Sequence, residues 1–481
     1  MATDRPSKHT PGDPKAQDPS IPVRIERLVF QGDGLGRLPD GRVVFIPQSA
    51  AGDLLEVRLL PGRGDFVRGE AVAVLEASPL RTQPACRYFG TCGGCQWQHL
   101  TREGQVTWKE EILRELLVRV GKLSAVPIDP PLVPLPPWGY RARAQLKLSS
   151  DSDPRRGSDR RGPKGSPPDS GYGPASALRI GFYQRESHRV VDVEECPLLH
   201  PTLNALLRSL RGMRTPMLSQ LFPGLREVWM AVGAGTGQAI VALFARVRER
   251  AALRLLFHRL RESVPNIQGV VLLEGDPRHQ PRFVDRHGQG TILERVGEHR
   301  FRVDATAFFQ VSSLAAEALT SLVTGAAALT GAERVLDLYC GVGTFAIPLA
   351  RQASAVVGIE AHPAASADAI HNVRENGVGN VRIIHAQVEQ FLPDLVKEPW
   401  DLVVLDPPRQ GASRSVLDAL GKLGAPRIVY VSCDPSTLAR DLGLLAQMGY
   451  ACVRLQPVDL FPQTFHLEAV ALLERQPTNG R

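Results

Sequence analysis

Apolar and polar positions alternate in short runs between residues 22 and 77: V-R-I-E-R-L-V-F, R-V-V-F-I-P, D-L-L-E-V-R-L-L and F-V-R-G-E-A-V-A-V-L-E. Gly-rich turns at residues 32–36, 40–41 and 62–64 separate them. A period of two marks strands with one buried face, and several in so short a span predict a small antiparallel barrel. The period changes over residues 101–121. There Val106, Ile112, Leu113, Leu116, Leu117 and Val120 recur at helical spacing and predict an amphipathic helix. After a Pro-rich joint, P-I-D-P-P-L-V-P-L-P-P-W-G-Y, strand patterns return at residues 141–149. They continue at L-R-I-G-F-Y-Q, H-R-V-V-D-V, E-V-W-M-A-V-G-A and Q-A-I-V-A-L-F-A-R, followed by a helix over residues 248–264. G-V-V-L-L-E-G and F-R-V-D-A-T-A-F-F-Q-V complete a central mixed α/β domain. From residue 314 to 475 strands and helices alternate, the strands reading R-V-L-D-L-Y-C, A-V-V-G-I-E-A, V-R-I-I-H-A, D-L-V-V-L-D and R-I-V-Y-V-S-C. This alternation predicts a doubly wound, mainly parallel sheet.

Two stretches carry no such pattern. Residues 1–20 are polar and rich in Pro, Asp and Lys, and residues 151–176 hold almost nothing but Asp, Arg, Gly, Ser, Pro and Lys. Neither can bury enough apolar surface to fold, so a disordered tail and a disordered insertion between two strands are expected. The 481 residues, 43% of them apolar, then divide into a tail (1–20), a barrel (21–79), a central domain (80–312) and a doubly wound domain (313–481). Lys and Arg exceed Asp and Glu by 57 − 50 = 7, which permits binding to a polyanion without demanding it. The start lacks the apolar stretch of a secretory signal and the Arg-rich pattern of a transit peptide. No apolar run approaches the ~20 residues that span a bilayer. A cytoplasmic monomer that does not enter a membrane is the expectation.

Candidate chemistry concentrates in the last domain. V-L-D-L-Y-C-G-V-G-T, residues 335–344, runs from an apolar strand into a Gly-rich turn and a helix, the arrangement that lets backbone approach a nucleotide-like ligand. The next strand ends at Glu360, placed to grip ribose hydroxyls, and this pair of features suits NAD or S-adenosylmethionine equally. A third strand ends in Asp406-Pro-Pro-Arg409. Amino-methylating enzymes carry an aromatic residue at the fourth position of a similar motif, and Arg409 cannot serve as that plate for a flipped base. I-V-Y-V-S-C-D-P-S-T places Cys433 at a strand's carboxyl end, with Asp434 able to cap and Pro435 to open a helix through residues 438–448. A thiol at a helix N-terminus has its thiolate favoured by the dipole, which suits a nucleophile better than a structural cysteine. Cys340 and Cys452 have no such setting and read as core residues. D-L-F-P-Q-T-F-H-L-E then ends at Glu468, whose carboxylate reaches the same pocket if its strand runs beside the one ending at Cys433.

Three of the seven cysteines crowd together as Cys86-x5-Cys92-x2-Cys95, with small glycines that permit tight wrapping. Cys196, in E-E-C-P-L-L-H, is the candidate fourth ligand. Four thiols suit zinc or an iron–sulfur cluster, and spacing alone does not decide between them. A radical S-adenosylmethionine enzyme would instead carry C-x3-C-x2-C with one iron left open.

These motifs together resemble the RNA uridine-5-methyltransferase family. D-P-P-R-x-G, then I-V-Y-V-S-C-D-P-S-T, then D-L-F-P-Q-T-x-H-L-E match its diagnostic stretches, and the segment before the cysteines resembles a TRAM domain, an RNA-binding β-barrel. The resemblance implies an OB-like TRAM barrel, a central α/β domain holding a 4Fe–4S cluster on Cys86, Cys92, Cys95 and Cys196, and a Rossmann-like methyltransferase domain. It implies Cys433 as nucleophile at uracil carbon 6 and Glu468 as the base that removes the carbon 5 proton. By motif position, Gln310, Tyr339, Thr344, Glu360, Gln387 and Asp406 would contact S-adenosylmethionine. Barrel and cluster together are similar to the branch that methylates 23S ribosomal RNA, while some cluster-bearing relatives act on transfer RNA. Three positions depart from the family pattern: Asp434 stands where Asn is usual, Gln310 is followed by Val-Ser, and Gln387 replaces Asp or Asn. A radical-type RNA-modifying enzyme and a non-catalytic RNA-binding protein are the rival readings. The cysteine spacing opposes the first, and the joint presence of Cys433 and Glu468 opposes the second.

Overall fold

The alternating N-terminal runs form β1 (Ser20–Leu28), β3 (Val43–Ile46), β4 (Leu54–Leu59) and β5 (Phe66–Glu76), joined by an unexpected β2 (Gly34–Arg37) within the supposed Gly-rich turn. They close into a barrel in the order β1-β2-β3-β5-β4. This is a computed structural model, and it describes residues 20–61, 66–149, 178–213, 218, 221–245, 250–276 and 281–477. The glycines of β2 are there because it lies tight against its neighbours. A Cβ on Gly34 would meet Ser49 Oγ at 2.0 Å, and one on Gly36 would meet Val23 Cγ1 at 2.5 Å. An odd number of strands cannot close with every pair antiparallel, and the parallel pair is β3–β5. Val23, Ile25, Val44, Ile46, Leu55 and Val57 fill the interior. Buried Asp53 fastens the last turn, accepting from the backbone N–H of Ala50 (2.6 Å) and Ser78 (2.9 Å) and from the Arg81 guanidinium (2.7 Å). Of the expected tail, Ser20 opens β1 and the rest lies outside the described residues, as does the expected insertion 151–176.

The chain divides into two units, Met1–Thr82 and Gln83–Arg481. The second begins with the cysteine-rich segment and α1 (Arg102–Arg119), capped by Thr101 Oγ1, which accepts from Gly104 N–H (3.2 Å). Ile112, Leu113, Leu116 and Leu117 are buried on α1, but Val120 lies past its end and exposed, while Gln105 and Lys109 are buried in its place. A seven-stranded central sheet follows, ordered β12-β11-β10-β9-β6-β7-β8. Its strands are β6 (Arg143–Ser149), β7 (Arg179–Tyr183), β8 (Val190–Asp192), β9 (Glu227–Val232), β10 (Ala239–Phe244), β11 (Ile267–Glu274) and β12 (Arg282–Gly288). Leucines of α2 (Pro201–Gly212) and α3 (Arg250–Ser263) share a core with this sheet. The hairpin β13 (Thr291–Val296) and β14 (His299–Asp304) leads to α4 (Ser313–Ala327).

The last sheet alternates β15 (Arg334–Leu338), α5 (Ala346–Ala350), β16 (Ala355–Glu360), α6 (Pro363–Glu375), β17 (Val381–His385), α7 (Val388–Leu395), β18 (Leu402–Leu405), α8 (Arg414–Leu423), β19 (Arg427–Ser432) and α9 (Pro435–Gln447). β20 (Tyr450–Val458) and β21 (Glu468–Arg475) finish it. The order is β17-β16-β15-β18-β19-β21-β20, with β15 to β19 parallel and β21 antiparallel to both its neighbours. The order reverses between β15 and β18, and a doubly wound sheet opens its ligand crevice at such a point, beyond the strands' carboxyl ends. Among the described residues no helix is long and apolar enough to cross a membrane.

Candidate active site

The loop leaving β15 turns through left-handed backbone at Tyr339 (φ 61°), Gly341 (φ 56°) and Gly343 (φ 89°). Gly341 donates its N–H to Glu360 Oε2 (2.9 Å), and Glu360 Oε1 accepts from His362 N–H (2.6 Å), so the acid at the end of β16 braces the glycine turn. The Tyr339 hydroxyl donates to Glu389 Oε1 (2.8 Å) in the first turn of α7, whose N-cap is Gln387. The Gln387 side chain makes no bond to that helix. Thr344 follows Gly343 into α5, and the Gln310 amide lies 3.5 Å from Asp406 Oδ2 just past β18. Of the six expected cofactor positions, Gln310 and Asp406 thus lie together, Tyr339, Thr344 and Glu360 belong to or brace the loop leaving β15, and Gln387 opens α7 after β17.

Cys433 follows the last residue of β19. Ser432 pairs with Ala469, so the next step of the antiparallel register sets Cys433 against Glu468, the first residue of β21. Asp434 caps α9, its Oδ1 accepting from Ser436 N–H (2.9 Å) and Thr437 N–H (3.1 Å). The expectation that the helix lowers the thiol's pKa fails. Burial pushes Cys433 up to about 12, and Glu468, Asp406 and Asp434 add to the rise while Arg409 opposes it. A helix N-terminus contributes only ~0.3–1 kcal/mol, whereas a thiol held near 12 disfavours thiolate by roughly 4 kcal/mol. Desolvation wins.

Carboxylates crowd this crevice. Burial pushes Asp406 up to about 7. Burial and then Asp406 raise Glu468 well above its ordinary range, with Arg409 pulling the other way. Asp337 is wholly buried, and burial, Asp406 and Glu360 raise it too, while the Ala346 backbone N–H opposes the rise. Such a set is short of positive charge and suits a cationic ligand. Asp337 and Arg409 were absent from the expected site residues. A carboxylate inside an otherwise apolar strand was the available signal for Asp337. Arg409 was legible only as a missing aromatic.

Cys86, Cys92, Cys95 and Cys196 line one cavity of about 580 Å³, shared with Arg141, Arg143, Trp229, Phe309 and Arg409. The site is held at both ends. Cys86 N–H donates to Gln98 Oε1 (3.1 Å), and the Asn204 amide brackets Cys196, accepting from its N–H and donating to its carbonyl, both at 3.0 Å. Backbone N–H groups reach sulfur from Gly94 to Cys92 and from Leu198 and Leu199 to Cys196. Burial pushes Cys92 up to about 11 and Cys95 up to about 12, and the neighbouring thiols add to both. As the side chains lie, no group of three or more His, Cys, Asp or Glu among the described residues is arranged to hold a metal ion. The structure brings the four together in one cavity, with N–H donors on two of the sulfurs. Cys340 is a core residue as expected, whereas Cys452 on the edge strand β20 is only half-buried.

A family model described as tRNA (Uracil-5-)-methyltransferase matches residues 295–476, and a TRAM domain model matches residues 20–72. An uncharacterized RNA methyltransferase of Gloeobacter violaceus is 35% identical over 469 residues, covering 95% of this chain and 97% of that protein. Another, from Halalkalibacterium halodurans, is 33% identical over 466 residues and covers 94% of this chain and 96% of its own length. Among solved structures, the Pyrococcus abyssi tRNA (uracil-54, C5)-methyltransferase in complex with S-adenosyl-L-homocysteine superimposes with a TM-score of 0.67 at 24% identity. The match covers 94% of this chain and all of that one, 100%.

Proposed function

Because the chain belongs to the RNA uracil-5-methyltransferase family, we propose that it methylates carbon 5 of a uridine in RNA through a covalent bond from Cys433 to carbon 6. The observation that carries this reading is the register that sets Cys433 against Glu468 beside the carboxylate-lined crevice. Carbon 5 of uracil is a poor nucleophile until a group adds to carbon 6. Cys433 first loses its thiol proton to solvent; the thiolate then forms the S–C6 bond, and the displaced π electrons make carbon 5 and oxygen 4 an enolate. S-adenosylmethionine, when bound, supplies an electrophilic methyl on a cationic sulfur. Asp406 and Asp337 would supply negative charge to balance it, and Gln310, Tyr339, Thr344, Glu360 and Gln387 would hold the rest of the molecule. After the methyl reaches carbon 5, Glu468 takes the carbon 5 proton, the C5=C6 bond reforms and the C6–S bond breaks. The target base must leave its stack to reach this crevice.

Ribosomal RNA of the large subunit is the substrate this reading favours, supported by the TRAM barrel together with the four-cysteine site. A transfer-RNA uridine is the second reading, favoured by the matched family description and by the Pyrococcus abyssi structure, both of which are named for tRNA. Mapping 5-methyluridine in RNA from cells with and without the gene decides it. 5-Methyluridine should be lost from 23S ribosomal RNA. Loss confined to transfer RNA selects the second reading, and no loss in any RNA rejects both.

The four cysteines are proposed to hold a 4Fe–4S cluster. The support is chemical: soft thiol donors share one cavity, backbone N–H groups are aimed at sulfur, and burial keeps these thiols protonated unless a metal centre stabilises the thiolates. Protein purified without oxygen should be brown and contain iron and acid-labile sulfide, and Cys92→Ser or Cys196→Ser should lose both. Stoichiometric zinc without iron would contradict the assignment.

A further inference from the structure

The loop between β20 and β21, residues 459–467, delivers Glu468 to the crevice, and groups outside its own sheet hold it. Asp459 is fully buried, and its Oδ1 accepts from Lys109 Nζ at 2.6 Å while Oδ2 pairs with Arg102. Lys109 Nζ also donates to the Phe461 carbonyl at 3.0 Å. The Gln105 amide reads the next turn from both sides, donating to Gln463 Oε1 (3.0 Å) and accepting from Gln463 N–H (2.8 Å). The same amide nitrogen also lies 3.1 Å from the Trp97 carbonyl and 3.0 Å from the Leu100 carbonyl, so its two hydrogens are shared among three acceptors. From the cysteine-bearing segment, Gln96 N–H (3.2 Å) and Trp97 N–H (3.0 Å) both donate to the Gln463 carbonyl. The Tyr140 hydroxyl donates to the Pro462 carbonyl at 3.0 Å.

Gln463 itself is buried at φ 70°, a left-handed backbone that a side chain adopts only when its surroundings impose it. Burying Lys109 and Gln105 on the packed face of α1 is also costly compared with leucine at those positions. Two unfavourable features thus meet at one turn, and what they share is a fixed path for the five residues leading to Glu468.

We propose that Gln105, Lys109 and Tyr140 are positioning residues for Glu468, clamping the 459–463 turn so that the carboxylate meets carbon 5 of the adduct. The proposal rests on Glu468 being the proton acceptor. The clamp acts mainly on the last chemical step: Cys433 follows β19, which is paired with β18 and β21 outside this turn, and Glu468 bears on adduct formation only through its charge beside the thiol. A displacement of about 1 Å at a catalytic group can cost on the order of 100-fold, so loosening the turn should slow release of the adduct and leave its formation intact.

The test uses the full-length protein, S-adenosylmethionine tritiated in the methyl group, and RNA purified from cells lacking the gene. Gln105→Met keeps the volume of the side chain and removes its hydrogen bonds. It should form the covalent protein–RNA complex at the wild-type rate with an unchanged KM for S-adenosylmethionine. Breakdown of the complex should be roughly ten- to a hundred-fold slower. Deuterium at uridine carbon 5 should slow breakdown further than it does in the wild type. Tyr140→Phe, which deletes one hydroxyl and leaves packing alone, should show the same signature more weakly, and it serves where Gln105→Met fails to fold. If both variants release RNA at the wild-type rate while Glu468→Gln stalls, the clamp is wrong and the base assignment stands. If formation and breakdown fall together with the melting temperature, the residues are merely structural and the proposal is overturned. If Glu468→Gln itself releases normally, the base assignment fails and the clamp falls with it.

Discussion

Cys433→Ala should bind S-adenosylmethionine with unchanged affinity yet give neither methylated RNA nor a covalent protein–RNA complex. The expected fall in turnover is at least ~10⁴-fold, the scale on which removal of a catalytic nucleophile acts. The cofactor crevice should survive because it is built at the ends of β15, β16 and β18, whereas Cys433 lies just past the end of β19. A pH dependence accompanies this. With the thiol pushed up to about 12, almost all Cys433 is protonated near neutrality. The thiolate fraction, and with it the rate of adduct formation, should rise by about tenfold per pH unit through the mildly alkaline range. Arg409 and a bound cationic methyl donor both stabilise the thiolate, so the rise should flatten at lower pH in the presence of S-adenosylmethionine than with uncharged S-adenosylhomocysteine. Methylated RNA from Cys433→Ala would remove Cys433 from its role, and a flat rate profile in the wild type would show that the thiol is already ionised near neutrality.

That thiol also marks where sequence reading stops. The strand ending at Cys433, the cap at Asp434 and the proline opening α9 were all legible, because each is a local preference of a few adjacent residues. The pKa was not. It is set first by burial and then by Glu468 and Asp406, which the chain brings near only through the β19–β21 and β18–β19 pairings. Likewise, helical spacing located α1 but put Val120 on its buried face, and periodicity gave no hint that Gln105 and Lys109 would be buried there. Their partners, Gln463 and Asp459, lie more than three hundred residues on. The barrel failed in the opposite sense. Gly34 and Gly36 read as a turn because glycine usually signals one, yet here it permits a strand to lie against Ser49 and Val23.

Glu468→Gln should behave unlike Cys433→Ala, because addition and methyl transfer come before the step that needs a base. Gln has the same shape and still accepts a hydrogen bond, but it cannot take up a proton. Turnover should fall by about 10²–10⁴-fold, the usual contribution of a positioned base. A protein–RNA complex already methylated at carbon 5 should accumulate and survive denaturing electrophoresis. The setting of Glu468 supports this division. Burial and Asp406 raise its pKa far above that of a surface carboxylate, which makes its ionised form a stronger proton acceptor, and Arg409 favours that ionised form. Activity loss alone cannot separate the two roles, since removing either group cripples turnover. The complex can, because it requires the thiol to form and the carboxylate to break. Normal turnover by Glu468→Gln, or a stable complex formed by Cys433→Ala, would mean that another base or another thiol does this chemistry.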